Sequence, residues 1–162
     1  MAAAKSKRRD RRRQPYKTPD RFDGIKRRLE QGPFHDHKFI MNPEGAEKMS
    51  DVLARFVEPY VDAADTKDAH QKPLTLAVTA WNAALYPEAE RARMLDDILG
   101  EGWTGVPKGL RAELRKFVGE LIVRKLTHFP DNRRAIIDFC VEESRTGFHL
   151  SVVSTLETPA IE

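Results

Sequence analysis

The segment AIIDFCVEESRTGFHLSVVSTLE, residues 135–157, decides the fold class of this chain. Apolar and polar residues alternate on both sides of SRTG, which is typical of two half-buried strands joined by a turn. Pairing Val141 with Leu150 places six apolar side chains on one face: Ile137, Phe139, Val141, Phe148, Leu150 and Val152. The segment therefore predicts an antiparallel β-hairpin.

The residues before this hairpin predict helices, because their apolar side chains recur every three or four positions. Four helices are predicted: from an N-cap at Asn42 to Ala64 with a kink or break at Pro59, from Pro73 to Tyr86, from Pro87 to Gly100, and from Leu110 to Pro130. The predicted buried face of the last helix consists of Leu110, Leu114, Phe117, Val118, Leu121, Ile122, Leu126 and Phe129. The expected fold class is α+β, mainly a bundle of about four helices with a C-terminal antiparallel hairpin.

A hairpin of two strands is marginally stable in isolation, so this one must pack on the helices or gain another strand. Residues 36–41 are a candidate for a short third strand. A second copy of the chain is another candidate, because an unprotected strand edge invites pairing. A homodimer, through the sheet or through an apolar helix face, therefore stays open.

The charge of the chain is distributed very unevenly. Residues 1–28 contain twelve Lys and Arg and three Asp, which gives a net charge of +9. Residues 29–162 contain the other sixteen of the 28 basic residues and 22 of the 25 acidic ones, which gives −6. We predict a basic, largely disordered arm over residues 1–32 and a single helical domain over residues 33–162. Within the arm, Phe22, Ile25 and Leu29 have the spacing of one or two helical turns.

Such an arm binds polyanions without needing a fold, because Lys and Arg that neutralise phosphates release counterions. The candidate nucleic-acid-binding residues are the basic side chains and one aromatic that can stack on bases: Lys5, Lys7, Arg8, Arg9, Arg11, Arg12, Arg13, Tyr16, Lys17, Arg21, Lys26, Arg27 and Arg28. The leading hypothesis is a non-enzymatic accessory protein associated with nucleic acid, above all RNA or a ribonucleoprotein. A solvated tail without a partner, a nuclear import signal and an anionic membrane surface are the alternatives for the arm.

A second hypothesis assigns the function to the acidic helical body. In this interpretation the protein is an interaction module or regulatory adaptor for an unknown protein partner, and the basic tail is incidental. The absence of nucleotide-binding and zinc-protease signatures from the sequence is compatible with either hypothesis.

Two clusters suggest chemistry, but neither supports an active site. In the predicted hairpin Cys140 lies opposite Ser151 and Glu142 lies opposite His149, which suggests an activated thiolate. A flat polar sheet face lacks an anion-stabilising site, however, so Glu142 and His149 are better explained as a cross-strand pair. The HDH triplet at residues 35–37 resembles metal ligands but lacks a third and fourth partner. No catalytic residue, metal or cofactor is predicted.

The composition fits a soluble protein of a reducing compartment, cytoplasmic or, in a eukaryote, nuclear. Cys140 is the single cysteine, so no intramolecular disulfide can form. No run of eighteen apolar residues predicts a membrane span, and the Arg-rich beginning lacks the apolar stretch of a secretory signal.

Overall fold

A computed structural model describes residues 23–36, 44–61, 67–100, 106–144 and 147–156 of the chain. In chain order these form α1 (Asp23–Gln31), α2 (Met49–Val57), a short 3-10 helix (Glu58–Tyr60), α3 (Lys67–Ala83), α4 (Glu88–Gly100), α5 (Lys108–His128), β1 (Ile136–Ser144) and β2 (Gly147–Ser154). The predicted α+β class, mainly helical with a C-terminal antiparallel hairpin, is confirmed. In the described ranges α1 joins the four helices expected from the sequence. Of the candidate third strand, Asp36 lies in a turn and residues 37–41 lie outside the described residues.

The predicted starts of two helices are wrong. Residues 44–48 do not belong to α2, since Gly45 has a left-handed backbone (φ 78°) that a right-handed helix does not contain. Helix α3 begins at Lys67, so Pro73 lies inside it rather than at its first position. The polar side chains of residues 67–72 hide this extension, because they show no apolar period. The predicted kink or break at Pro59 is confirmed as a break, because α2 ends at Val57 and a 3-10 helix follows. Of the predicted continuation to Ala64, Val61 lies outside any helix and residues 62–64 lie outside the described residues.

The main hydrophobic core lies where α2, α3 and α5 meet. Trp81 of α3 is fully buried, and its ring meets the Phe56 ring edge to face at a centroid distance of 5.2 Å. The Phe129 ring, just beyond α5, lies 5.7 Å from the Trp81 ring and 5.8 Å from the Phe56 ring. This aromatic cluster joins all three helices. In the described part of the chain, no helix is both long and apolar enough to cross a membrane.

The buried face of α5 differs from the predicted one at two positions. Val118, Leu121 and Ile122 are buried as expected, but Leu110 and Leu126 are 46% and 43% exposed. Lys125, only 2% exposed, occupies the inward position beside Leu126. Its Nζ donates a hydrogen bond of 2.7 Å to the carbonyl of Phe129 and lies 4.7 Å from the centre of the Trp81 ring. The apolar stem of the lysine fills the core, while the carbonyl and the ring satisfy its ammonium group.

The register of the hairpin is the predicted one over most of its length. Val141 pairs with Leu150, and Val141 is buried against the helices. The prediction fails at the start of β1, where an irregularity between Ile136 and Asp138 adds one residue to the strand. Ile136 therefore pairs with Ser154 and enters the core in place of Ile137.

The start of β1 is fastened to α3 by side-chain hydrogen bonds. The Asn82 amide donates to the carbonyl of Ile136, and its oxygen accepts from the N–H of the same residue, both at 2.8 Å. The Trp81 indole donates to the carbonyl of Arg134, also at 2.8 Å. The hairpin therefore packs on the helical bundle, and Asn82 occupies the backbone groups that another strand would need at Ile136.

Helix α1 contacts the opposite face of the hairpin, on the β1 side. Asp138 and Ser151 alternate with the core-facing residues and so lie on the side away from the bundle. Ser151 is nevertheless only 2% exposed, and Ile25 and Leu29 of α1 are buried as well. Within the described residues, the hairpin thus packs on the bundle through one face, while α1 contacts the β1 side of the other face.

Candidate nucleic-acid interface

Helix α1 presents the only candidate nucleic-acid-binding residues that the described ranges contain. Ile25 and Leu29 are one helical turn apart and form its buried side. Arg27 lies on the opposite side and is exposed, while Lys26 and Arg28 flank the buried side. Because Ile25 and Leu29 face the protein, Arg27 points away from it, and Lys26 and Arg28 lie at the edges of the buried side.

Lys26 and Arg28, which flank the buried side of α1, each lie close to an acidic residue. Lys26 Nζ lies 3.9 Å from a carboxylate oxygen of Glu30, and both side chains are more than half exposed, so this pair contributes little stability. Arg28 is bound more firmly: its Nη2 and Nε lie 2.8 and 2.9 Å from Asp138 Oδ2. The same Nη2 donates to the carbonyl of Phe139 at 3.3 Å. Of the three described candidates, Arg28 is therefore engaged by the protein itself.

The other predicted residues of this interface lie outside the described residues: Lys5, Lys7, Arg8, Arg9, Arg11, Arg12, Arg13, Tyr16, Lys17 and Arg21. The assignment of residues 1–32 as a disordered arm stays a prediction. Within that range, residues 23–31 form α1, as the spacing of Ile25 and Leu29 indicated.

Some cations of the helical body bind its own backbone. Five of them donate to carbonyl oxygens: Arg91 to Tyr86, Arg111 to Val106, Arg124 to Arg55 and Phe56, Lys125 to Phe129, and Arg134 to Glu47 and Thr155. Several of these carbonyls belong to helix ends, where backbone acceptors lack a partner within the helix and the dipole favours positive charge. Two further arginines form ion pairs, Arg55 with Glu47 and Arg115 with Asp96. No pattern in the sequence indicated these roles, because each joins residues far apart in the chain or at a loop.

Burial lowers the pKa of two of these cations. Desolvation by burial lowers the pKa of Lys125, the charge of Arg133 lowers it further, and Asp131 opposes the shift. Burial likewise lowers the pKa of Arg134. Both groups act in the structure as internal hydrogen-bond donors, so neither is a candidate for contact with an external phosphate.

The chemical clusters considered from the sequence do not assemble an active site in the described residues. Cys140 is partly exposed and pairs with Ser151, while Glu142 pairs with His149. No hydrogen bond between Cys140 and His149 is found in the described part of the chain. His35 Nε2 lies 3.0 Å from Asp36 Oδ2, and His35 Nδ1 lies 3.2 Å from the carbonyl oxygen of Gly32. His37 lies outside the described residues. Among the residues that the structure describes, no group of three or more His, Cys, Asp or Glu could hold a metal ion.

The structure adds one surface that the apolar pattern did not predict. Val123 and Leu126 of α5 are 64% and 43% exposed and lie three residues apart, on neighbouring positions of the helix surface. Gly119, one turn before Val123, has open space around the position that a Cβ would occupy. This outer side of α5 is a small apolar strip, and Leu126 belongs to it because Lys125 takes the inward position.

Comparisons with protein-family models, curated proteins and solved structures find no match to this chain.

Proposed function

We propose that this protein is a non-enzymatic accessory protein that binds the phosphate backbone of RNA through its basic N-terminal residues. The main observation behind this proposal is the division of positive charge. Residues 1–28 have a net charge of +9 and residues 29–162 a net charge of −6; in addition, five of the fourteen Lys and Arg residues described in the body donate to its own carbonyl groups. The positive charge available to a polyanion is therefore concentrated at the N-terminal end.

The orientation of α1 also supports the proposal. Its buried residues Ile25 and Leu29 fix the helix on the hairpin, and this leaves Arg27 directed away from the protein. Phosphate contacts of this kind position a protein on nucleic acid without selecting a sequence. We therefore expect binding that depends strongly on salt and weakly on base composition.

Fluorescence anisotropy with labelled poly(U) RNA, measured over a series of KCl concentrations, tests this function. Deletion of residues 1–20 should remove most of the salt-dependent binding and leave the melting temperature nearly unchanged. The double variant Lys26→Gln/Arg27→Gln should reduce the slope of log K against log salt by about 1.4, since each single-strand phosphate contact contributes about 0.7.

Arg93→Gln/Lys116→Gln is the matched control. It removes the same charge from two exposed positions on α4 and α5, and its salt slope should equal that of the unmodified protein. Equal slopes for both double variants would show that α1 makes no phosphate contacts. Equal binding by the full-length and truncated proteins, or no binding by either, would refute the proposed function.

A second candidate function is that of a protein-interaction adaptor, and the apolar strip on α5 favours it. Exposed apolar residues that lie side by side are typical of contact surfaces. Val123→Glu/Leu126→Glu should then abolish co-purification of a defined protein partner that survives nuclease treatment and deletion of residues 1–20. Retention of that partner by the double variant would exclude the strip as its contact.

A further inference from the structure

The ion pair between Arg28 and Asp138 joins the proposed RNA-binding segment to the hairpin. Arg28 is half exposed, with 53% of its side chain accessible, whereas 23% of the Asp138 side chain is accessible. A phosphate that approached Arg28 would compete with Asp138 for the same guanidinium group, since both are oxyanions that accept from it. RNA binding and the docking of α1 therefore depend on one side chain.

The docking of α1 rests on few contacts. A helix of nine residues is too short to be stable alone in water, so α1 needs the hairpin in order to fold. Only Ile25 and Leu29 are buried from this helix, and neither belongs to the main core cluster. Three adjacent cations, Lys26 to Arg28, also repel one another. These properties place α1 among the segments that open locally while the rest of the protein remains folded.

A ligand shifts an equilibrium between two states by its difference in affinity for them. With α1 docked, Arg28 is neutralised by Asp138. With α1 undocked, Arg28 becomes available for one more phosphate contact. RNA should therefore bind the undocked state more tightly, and this difference favours release of α1.

We propose that α1 is a latch on the hairpin that RNA binding releases, by drawing Arg28 away from Asp138. Release should increase the exposure of the hairpin face that carries Asp138 and, two residues along β1, the partly exposed Cys140. This inference rests on the proposed RNA binding and specifies how that binding is communicated to the body.

We use the reactivity of Cys140 to follow the position of α1, because this residue lies two positions along β1 from Asp138, to which Arg28 is bound, and because it is the single cysteine of the chain. The experiment measures the rate at which N-ethylmaleimide, an uncharged reagent that RNA does not repel, labels Cys140 with and without saturating poly(U). RNA should accelerate labelling by about 1.5- to 5-fold, the factor that corresponds to one exposed ion pair. Anisotropy on the same samples establishes that RNA is bound.

Asp138→Asn removes the competing charge but keeps the oxygen that accepts from the N–H of Phe139. Asp138→Asn should accelerate the labelling of Cys140 by a similar factor without RNA. Addition of RNA should then increase the labelling rate of this variant by less than it does for the unmodified protein. Asp96→Asn is the matched control, because Asp96 also forms an exposed ion pair with an arginine, Arg115, on other helices. It should behave like the unmodified protein. Ile25→Ser/Leu29→Ser should label rapidly with or without RNA.

The outcomes separate the two proposals. Binding of RNA without faster labelling of Cys140, or with protection of Cys140, overturns the latch and leaves the proposed function standing. Absence of RNA binding overturns both. Equal labelling of Asp138→Asn and Asp96→Asn also overturns the latch, since the ion pair would then have no influence on docking.

Discussion

Lys125 provides the sharpest test of how this core is held together. Its side chain is almost fully buried, its stem fills space beside the Trp81 ring, and its Nζ donates to the carbonyl of Phe129. We expect Lys125→Ala and Lys125→Met to separate these contributions. Alanine removes the stem and the amine, whereas methionine keeps most of the apolar volume and removes only the charged donor.

The magnitudes follow from the contacts. Lys125→Ala removes three buried methylene groups, worth about 0.8 kcal/mol each. It also removes a cation–π contact of about 0.5–2 kcal/mol and leaves a carbonyl without its donor, at about 1–3 kcal/mol. Relief from burying a charge offsets part of this loss. We expect a net loss of about 3–5 kcal/mol in the free energy of unfolding, and about 0–2 kcal/mol for Lys125→Met.

The dependence on pH tests the same interpretation independently. Because burial lowers the pKa of Lys125 below its ordinary value of 10.5, the unfolded state binds more protons than the folded state between the two pKa values. Stability then rises with pH across this alkaline window, and the penalty for burying the charge is present in full below the folded pKa. Lys125→Met should lose this contribution to the rise.

Urea unfolding followed by circular dichroism, repeated at several pH values from about pH 7 up to the ordinary lysine pKa of 10.5, measures both effects. Lys116→Ala, at an exposed position of the same helix, should change stability by less than about 0.5 kcal/mol. If Lys125→Ala costs no more than this control, Lys125 is not a buried structural residue. If Lys125→Met shows the same pH dependence as the unmodified protein, the attributed desolvation is wrong.

The remaining predictions concern the hairpin, and all are measured as changes in the free energy of unfolding. Ile136→Ala should cost about 2–5 kcal/mol because Ile136 enters the core, whereas Ile137→Ala should cost clearly less; equal costs would contradict the irregularity in β1. Asn82→Leu leaves the N–H and carbonyl of Ile136 without partners and should cost about 2–4 kcal/mol, and a neutral effect would show that water replaces the amide. Ser151→Ala should be neutral or slightly stabilising, since the buried hydroxyl has no hydrogen-bond partner in the described residues; a loss above about 1 kcal/mol would indicate a missed partner.

The parts of the fold that depend on the regular spacing of apolar residues could be predicted from the sequence. The register of Val141 with Leu150 followed from alternation alone, because a slip by one residue would turn every apolar side chain outward. The stripe of α3 placed Trp81 in the core for a similar reason. Ile137 was misplaced because one added residue reverses the alternation, and no local residue type announces it.

The polar contacts of the interior were not predictable in the same way. Lys125 and Leu126 are neighbours, and hydropathy alone favours burying the leucine. The opposite occurs because the carbonyl of Phe129 and the ring of Trp81 meet at the lysine position, and only the folded structure brings them together. For the candidate interface, the sequence located the cations but could not show that Arg28 is paired with Asp138, 110 residues away.

The double hydrogen bond from Arg124 to the last turn of α2 indicates where arginine and lysine can replace each other in this protein. Arg124 Nε and Nη2 bind two successive carbonyls, those of Phe56 and Arg55, at 3.0 and 3.1 Å. A lysine has a single ammonium group and cannot reproduce this fork. Arginine and lysine should therefore be interchangeable where they only supply charge to a polyanion, and not where they join one helix to another.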